Sequence, residues 1–258
     1  MPTLVAPKTA KSVKTAGAPA AAVKPAPYFT PELFHFLLEL RYNNNRPWFQ
    51  ANKKRYEAVV KAPMLRFIAD FAPSLKRINP AYEANSRSLF RIARDTRFSA
   101  NKDPYKAHAA AQFRYLGSRD VHAPGFYLHL EPDGCFAGGG IWMPEPEPLK
   151  RIREAIARQD FKWLELRRRV PISDEDKLTR PPKGFDKDHP LIEDLKLKSH
   201  ITFFPIAEEE VCSHHLLGVV EKHFKKTDTL VRFLNLVLGF AEGAGERKVR
   251  SKRPEGET

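Results

Sequence analysis

The chain has little cysteine: Cys135 and Cys212 are the only two in 258 residues. Two thiols build neither a disulfide framework nor a four-thiolate zinc site, and a buried, reduced thiol is the default state of each. No run approaches the ~18 consecutive apolar residues that a membrane helix requires, which excludes helical membrane insertion. Residues 1–27 lack acids altogether, so Lys8, Lys11, Lys14 and Lys24 give this stretch a charge of +4. They also hold few large apolar side chains beside eight alanines and five prolines. Such a segment cannot bury enough surface to offset its ordering entropy, and its lysines interrupt the apolar stretch a secretory signal needs. It reads as a disordered tail.

What is present is 42% apolar and 11% aromatic residues, the content of a folded protein with one substantial core or two small ones. The net charge of +13 divides unevenly. Residues 243–258 contribute +2 and read as a second basic tail, which leaves +7 for residues 28–242. The expectation is a basic, cytoplasmic protein with no membrane association.

Residues 28–242 open on a helix start. Thr30 is placed to cap, Pro31 suits the first helical position, and Phe29 with Phe34 has the spacing of a hydrophobic staple. Leu33, Phe34, Leu37, Leu38 and Leu40 form the apolar stripe of a helix that ends near Tyr42. The asparagines at 43–45 and Arg46-Pro47 make a turn, since a residue before proline is pushed out of the helical region. A second helix is expected over Trp48–Val60 and a third from Pro63.

From Ser88 the period becomes strand-like. Ser88–Ala93 alternates, and Gly125–Glu131, the turn Pro132-Asp133-Gly134 and Cys135–Trp142 read as a hairpin. Its first strand sets Phe126, Leu128 and Leu130 against Tyr127, His129 and Glu131, one apolar face and one polar. Further helices are expected from Leu149 and around Trp163, a strand over Lys198–Phe204, and two helices over Val211–Phe224 and Asp228–Phe240. Asp188-His189-Pro190 reads as a helix start capped by Asp188. The fold class is therefore α+β: a largely antiparallel sheet packed with helices, in a single domain over 28–242.

The densest charge lies between Arg87 and Lys106, where Arg87, Arg91, Arg94, Arg97, Lys102 and Lys106 face only Asp95 and Asp103. Arg91-x-x-Arg94-Asp95-x-Arg97-Phe98 followed by Lys102-x-Pro104-Tyr105-Lys106 resembles the signature of the domain of unknown function 2461 family of bacterial and fungal proteins. Asn44, Arg46, Trp48, Phe49, Asn52, Lys53 and Tyr56 are similar to that family's first helical hairpin. Further matches are Gly125-Phe126-Tyr127 through Pro132, Gly138-Gly139-Gly140-x-Trp142, Arg180-x-Pro182-x-Gly184-Phe185 and Asp188-His189-Pro190. The resemblance spans Phe29 to Phe240. It departs at Asn101, where the family more often has an acid. It implies a single domain and supplies no activity, so the chemistry must come from the residues.

Guanidinium forks match phosphate or carboxylate, and several converging forks hold a dianion. Phe98 and Tyr105 are placed to anchor the loop and Asp95 to orient one arginine. The plainer alternative is a structural ion pair with the other arginines in solvent. Gly138, Gly139 and Gly140 are costly inside a strand unless something approaches their backbone. They are candidates for the floor of a hollow walled by Tyr127, His129 and Glu131 and roofed by arginines; the alternative is a bulge or a close-packed helix. Arg46 and Lys53 either complete this basic pocket or, with Asn44 and Asn52, bond backbone at a helix junction.

Three functions remain open. The leading one is binding of a phosphorylated or carboxylated small molecule, an anionic ligand, through Arg91, Arg94, Arg97, Lys102, Tyr127, Gly139, Arg46 and Lys53. The second is nucleic-acid association through the same cluster, with the tails adding salt-sensitive affinity. The third is an enzyme of unknown class using Asp95 or His129. The sequence leaves the cofactor unknown. Neither His108 nor the Asp120–His122 pair belongs to a recognisable ligand set, so no metal is expected.

Overall fold

A computed structural model describes residues 26–116, 123–158 and 161–240. The two basic tails fall almost wholly outside the described residues, as do Asp120 and His122.

The first helix, α1 (Glu32–Tyr42), buries Leu33, Phe34, Phe36, Leu37 and Leu40, the face its apolar spacing requires. Thr30 does not cap it: Pro31 takes the cap position without a side-chain bond, and Thr30 lends only its carbonyl to the Leu33 N–H at 2.9 Å. Asn45 does cap α2 (Arg46–Ala51), its Oδ1 accepting from the Trp48 N–H at 3.0 Å. The expected helix over Trp48–Val60 is broken. The Asn52 carboxamide donates to the Trp48 carbonyl at 3.0 Å, competing with the helical ladder where α2 ends. A short α3 (Lys53–Tyr56) follows, then a π-helical turn at Glu57–Lys61 that runs straight into α4 (Ala62–Ile78). The wider turn keeps Tyr56, Val60 and Met64, four apart, all on the buried side.

The strands are β1 (Tyr82–Glu83), β2 (Ala109–Tyr115), β3 (Gly125–Leu130), β4 (Phe136–Ile141) and β5 (His200–Pro205). They form one antiparallel five-stranded sheet in the order β1-β2-β3-β4-β5. The β3–β4 hairpin falls where alternation predicts it, with Asp133 left-handed at φ 63° in the turn. Ser88–Ala93 differs from expectation. It forms a 3₁₀ turn at Ser86–Ser88 and then a segment joined by isolated bridges to β2 at Leu89–Ala111 and to the chain leading into β2 at Ala93–Tyr105. In β2 the sequence is Ala-Ala-Ala-Gln-Phe-Arg-Tyr, which opens on alanines of low strand preference and so gave no strand signal.

The remaining elements are α5 (Pro146–Ala157), α6 (Phe161–Arg169), α7 (Ile192–Leu195), α8 (Glu208–Val211) and α9 (Leu216–Leu238). The two expected C-terminal helices are largely one: α9 runs unbroken for 23 residues and ends on left-handed Gly239. Asp188 caps nothing. His189 does that work, its Nδ1 accepting from the Leu191 N–H while Nε2–H donates to the Ala157 carbonyl, each at 3.0 Å.

The apolar face of the sheet packs on α9, where Phe224 meets Phe71, Phe113 and Phe126 at ring separations of 5.0–5.5 Å. Further along, Leu230, Phe233 and Leu234 join a second cluster with Ile141, Ile152 and Trp163. No helix among the described residues is long and apolar enough to cross a membrane. With α9 on one face, the opposite face of β3 carries Tyr127 and His129 outward.

Candidate functional site

The basic segment forms an arm along the sheet. Residues 89–94 run antiparallel to 104–111, held by Phe90 N–H to the Ala110 carbonyl at 3.0 Å, Lys106 N–H to Ile92 at 2.8 Å and Arg94 N–H to Pro104 at 2.9 Å. Asn44 fastens the arm from the helical layer. Its carboxamide donates to the Tyr105 carbonyl at 2.9 Å and accepts from the Tyr105 N–H at 3.0 Å, as a neighbouring strand would. Phe49 stacks on the Tyr105 ring at 4.1 Å. Tyr105 is thus the anchor, whereas Phe98, expected to share that role, is 96% exposed.

At the tip of the arm Asp95 binds Arg97 with both oxygens, at 3.0 and 2.8 Å, and also accepts from the Arg97 N–H at 3.3 Å. These bonds, with the Arg97 charge, hold the Asp95 carboxyl down at about 2. Lys102 donates to the Thr96 carbonyl at 3.0 Å. Both cations of the tip are therefore engaged within it.

Nearer the sheet the cations form no ion pair among the described residues, although the Arg91 charge reaches Asp95. Arg91 is exposed and Arg94 makes only a 3.4 Å contact to Ser99. Lys106 is half-buried with its ammonium 4.7 Å from the centre of the Phe90 ring. Burial, then repulsion from Arg91 and Arg94, lowers the Lys106 pKa. None of the three is ion-paired among the described residues.

Beside them lies the polar face of β3. Tyr127 Oη is 3.1 Å from His129 Nδ1, and His129 Nε2 is 2.9 Å from Glu131 Oε2. Burial pushes the Tyr127 phenol up to about 12. The Glu131 carboxylate only accepts, so Nε2–H donates to it, and in the neutral ring Nδ1 accepts from the Tyr127 hydroxyl. Arg41 takes the other carboxylate oxygen at 3.2 Å. Phe136 stacks on the His129 ring at 4.8 Å, and His108 approaches from another side at 4.4 Å. Burial pulls His108 down to about 4, helped by the positive fields of Lys106 and Arg94.

The structure brings Arg91, Arg94, Tyr127 and His129 into one region. It places Arg97, Lys102 and Asp95 at the arm's tip. Arg46 and Lys53 stand exposed at the helix junction, with no side-chain hydrogen bond or ion pair among the described residues. Their neighbours Asn44 and Asn52 do bond backbone there. Gly139 pairs with Phe126 and Thr202. A Cβ on it would collide with the Gly125 carbonyl, one on Gly138 with that of Thr202, and one on Gly140 with that of His200. The sheet itself therefore demands these glycines. One concavity is bordered by Asp133, Phe136, Phe203 and Glu208, so it adjoins the site through Phe136, and another lies apart, bordered by Lys162, Arg169 and Asp228. Neither concavity is bordered by Arg91, Arg94 or Lys106.

Sequence reasoning passed over His108, Lys106 and Arg41 as site residues. The available signal was Lys106 and His108 two apart in an extended segment, but β2 was not recognisable and gave them no sheet to stand on.

No curated protein matches the chain. The model of the conserved hypothetical protein family DUF2461 matches residues 32–233, a span that takes in the helical junction, the arm, the whole sheet and most of α9. The chain belongs to the DUF2461 family.

Proposed function

We propose that the face formed by Arg91, Arg94 and Lys106 beside Tyr127 and His129 binds a phosphorylated or carboxylated small molecule. The observation that carries this reading is three neighbouring cations with no ion-pair partner among the described residues, one of them half-buried and lowered in pKa by burial first and then by the other two. Such repulsion is a standing cost that an anion relieves, and a guanidinium offers that anion a two-pronged contact. Arg97 and Lys102 reach the ligand only if the tip gives up its internal bonds. Two free cysteines favour a reducing cytoplasmic setting, and α9, shared by both apolar clusters, supports treating residues 28–242 as one domain.

The test is a thermal-shift screen of nucleotides, sugar phosphates and organic acids in buffer containing an uncharged chelator without carboxylates, such as phenanthroline, followed by calorimetry on the best ligand. Arg94→Ala removes a charge-assisted contact of about 2 kcal/mol and should weaken binding roughly thirtyfold. No shift with any anion, or equal affinity in Arg94→Ala, refutes the proposal. Binding to oligonucleotides that collapses with salt and with removal of residues 1–27 would instead assign the cluster to nucleic acid.

A further inference from the structure

The register of the sheet brings three metal-ligand side chains together that lie apart in sequence. His129 and Glu131 are two apart along β3 and its continuation, so they share a face. Ala109 pairs with Leu130 across β2 and β3, which sets His108 opposite Glu131 one step further on. The result is that one ligand atom from each of His108, His129 and Glu131 lies within 4.8 Å of the other two. A tetrahedral ion with bonds of ~2.1 Å needs its ligand atoms ~3.4 Å apart, so small side-chain rotations close the set.

We propose that His108, His129 and Glu131 bind one divalent first-row transition-metal ion of the zinc or ferrous class. Two imidazoles and a carboxylate are the donor set that such ions take in sites that keep a position open, whereas magnesium and calcium require oxygen donors. The surroundings orient each ligand. Arg41 holds Oε1 of Glu131 and leaves Oε2 toward His129. With a metal on Nε2, the His129 Nδ1–H donates to the Tyr127 oxygen already 3.1 Å away, the outer contact that metal-bound histidines make. His108, whose ring lies 4.4 Å from that of His129, has no hydrogen-bond partner for its ring nitrogens among the described residues, so a ring nitrogen is free to ligate. Side-chain exposure of 11% for His129 and 33% for Glu131 shelters the ion while leaving a way in. The site does not depend on the anion reading: the metal is tested here without anions, and the anion above with chelator.

The experiment uses the full chain without a histidine tag, stripped by chelator and titrated with cobalt(II) in buffer free of phosphate and carboxylates. One equivalent should bind with visible absorption bands of low coordination number, and zinc should displace it. Glu131→Gln, at a side chain one-third exposed, and His108→Ala should each weaken binding at least about a hundredfold. Tyr127→Phe, which removes only the outer contact, should cost about tenfold. A double His214→Ala, His215→Ala variant should bind as the parent does. Circular dichroism checks that each variant is folded; should His129→Ala fail to fold, the other two ligand variants carry the test. Absence of cobalt bands at one equivalent, or bands that persist in both Glu131→Gln and His108→Ala, overturns the site.

Discussion

Asn44 is the point at which the helical layer grips the arm that carries Lys106 and His108. Asn44→Ala deletes two hydrogen bonds, of 2.9 and 3.0 Å, to the backbone of Tyr105. At a net value of about 1 kcal/mol each, stability should fall by about 2 kcal/mol. For a folded unit of this size that lowers Tm by about 4–8 °C. Asn44→Asp separates the two halves of the contact. The carboxylate still accepts from the Tyr105 N–H but sets a second acceptor against the Tyr105 carbonyl, so it should destabilise at least as much as alanine. Urea denaturation followed by tryptophan fluorescence gives the energies. Hydrogen exchange at the Tyr105 amide should show lost protection in the alanine variant. A loss below about 0.5 kcal/mol for both variants, with Tyr105 protection unchanged, would refute the view that this contact holds the arm.

Two other perturbations separate backbone from side-chain causes. Gly138→Ala drives a Cβ into the Thr202 carbonyl and should cost about 3 kcal/mol or more, whereas Gly218→Ala, in α9 with open space around it, should stabilise by about 0.5–1 kcal/mol; denaturation midpoints of the pair check both signs. His200 is fully buried, neither ring nitrogen has a partner among the described residues, and burial, then the charge of Arg153, pulls it from 6.5 to about 3. Below pH 6.5 the unfolded state takes up a proton that the folded state refuses until about pH 3, so stability should fall with pH across that window, by up to about 1.4 kcal/mol per unit. His200→Phe should flatten this acid limb, and an unchanged pH profile of unfolding would contradict the assignment.

Legibility in the sequence followed the strength of local signals. Alternation around a tight turn found the β3–β4 hairpin, and the apolar stripe found α1. Helix boundaries were less legible where a side chain competed with the backbone, as Asn52 does against Trp48 and His189 does in place of Asp188. Of the site, the basic run was visible, as was the polar face of Tyr127, His129 and Glu131. Which arginines stay available was not, because Asp95 takes Arg97 at the tip while Arg94 stands nearer the sheet.

The sequence by itself determined an α+β chain with a cationic cluster and a two-faced hairpin, since charge, glycine placement and period are local properties. The tertiary structure decided what stands beside what. His108 meets Glu131 only through the pairing of β2 with β3, and Tyr105 meets Asn44 only because a helical turn reaches across 61 residues of chain. No local pattern encodes such contacts: they follow from sheet register and layer packing, which are set by where the whole core closes.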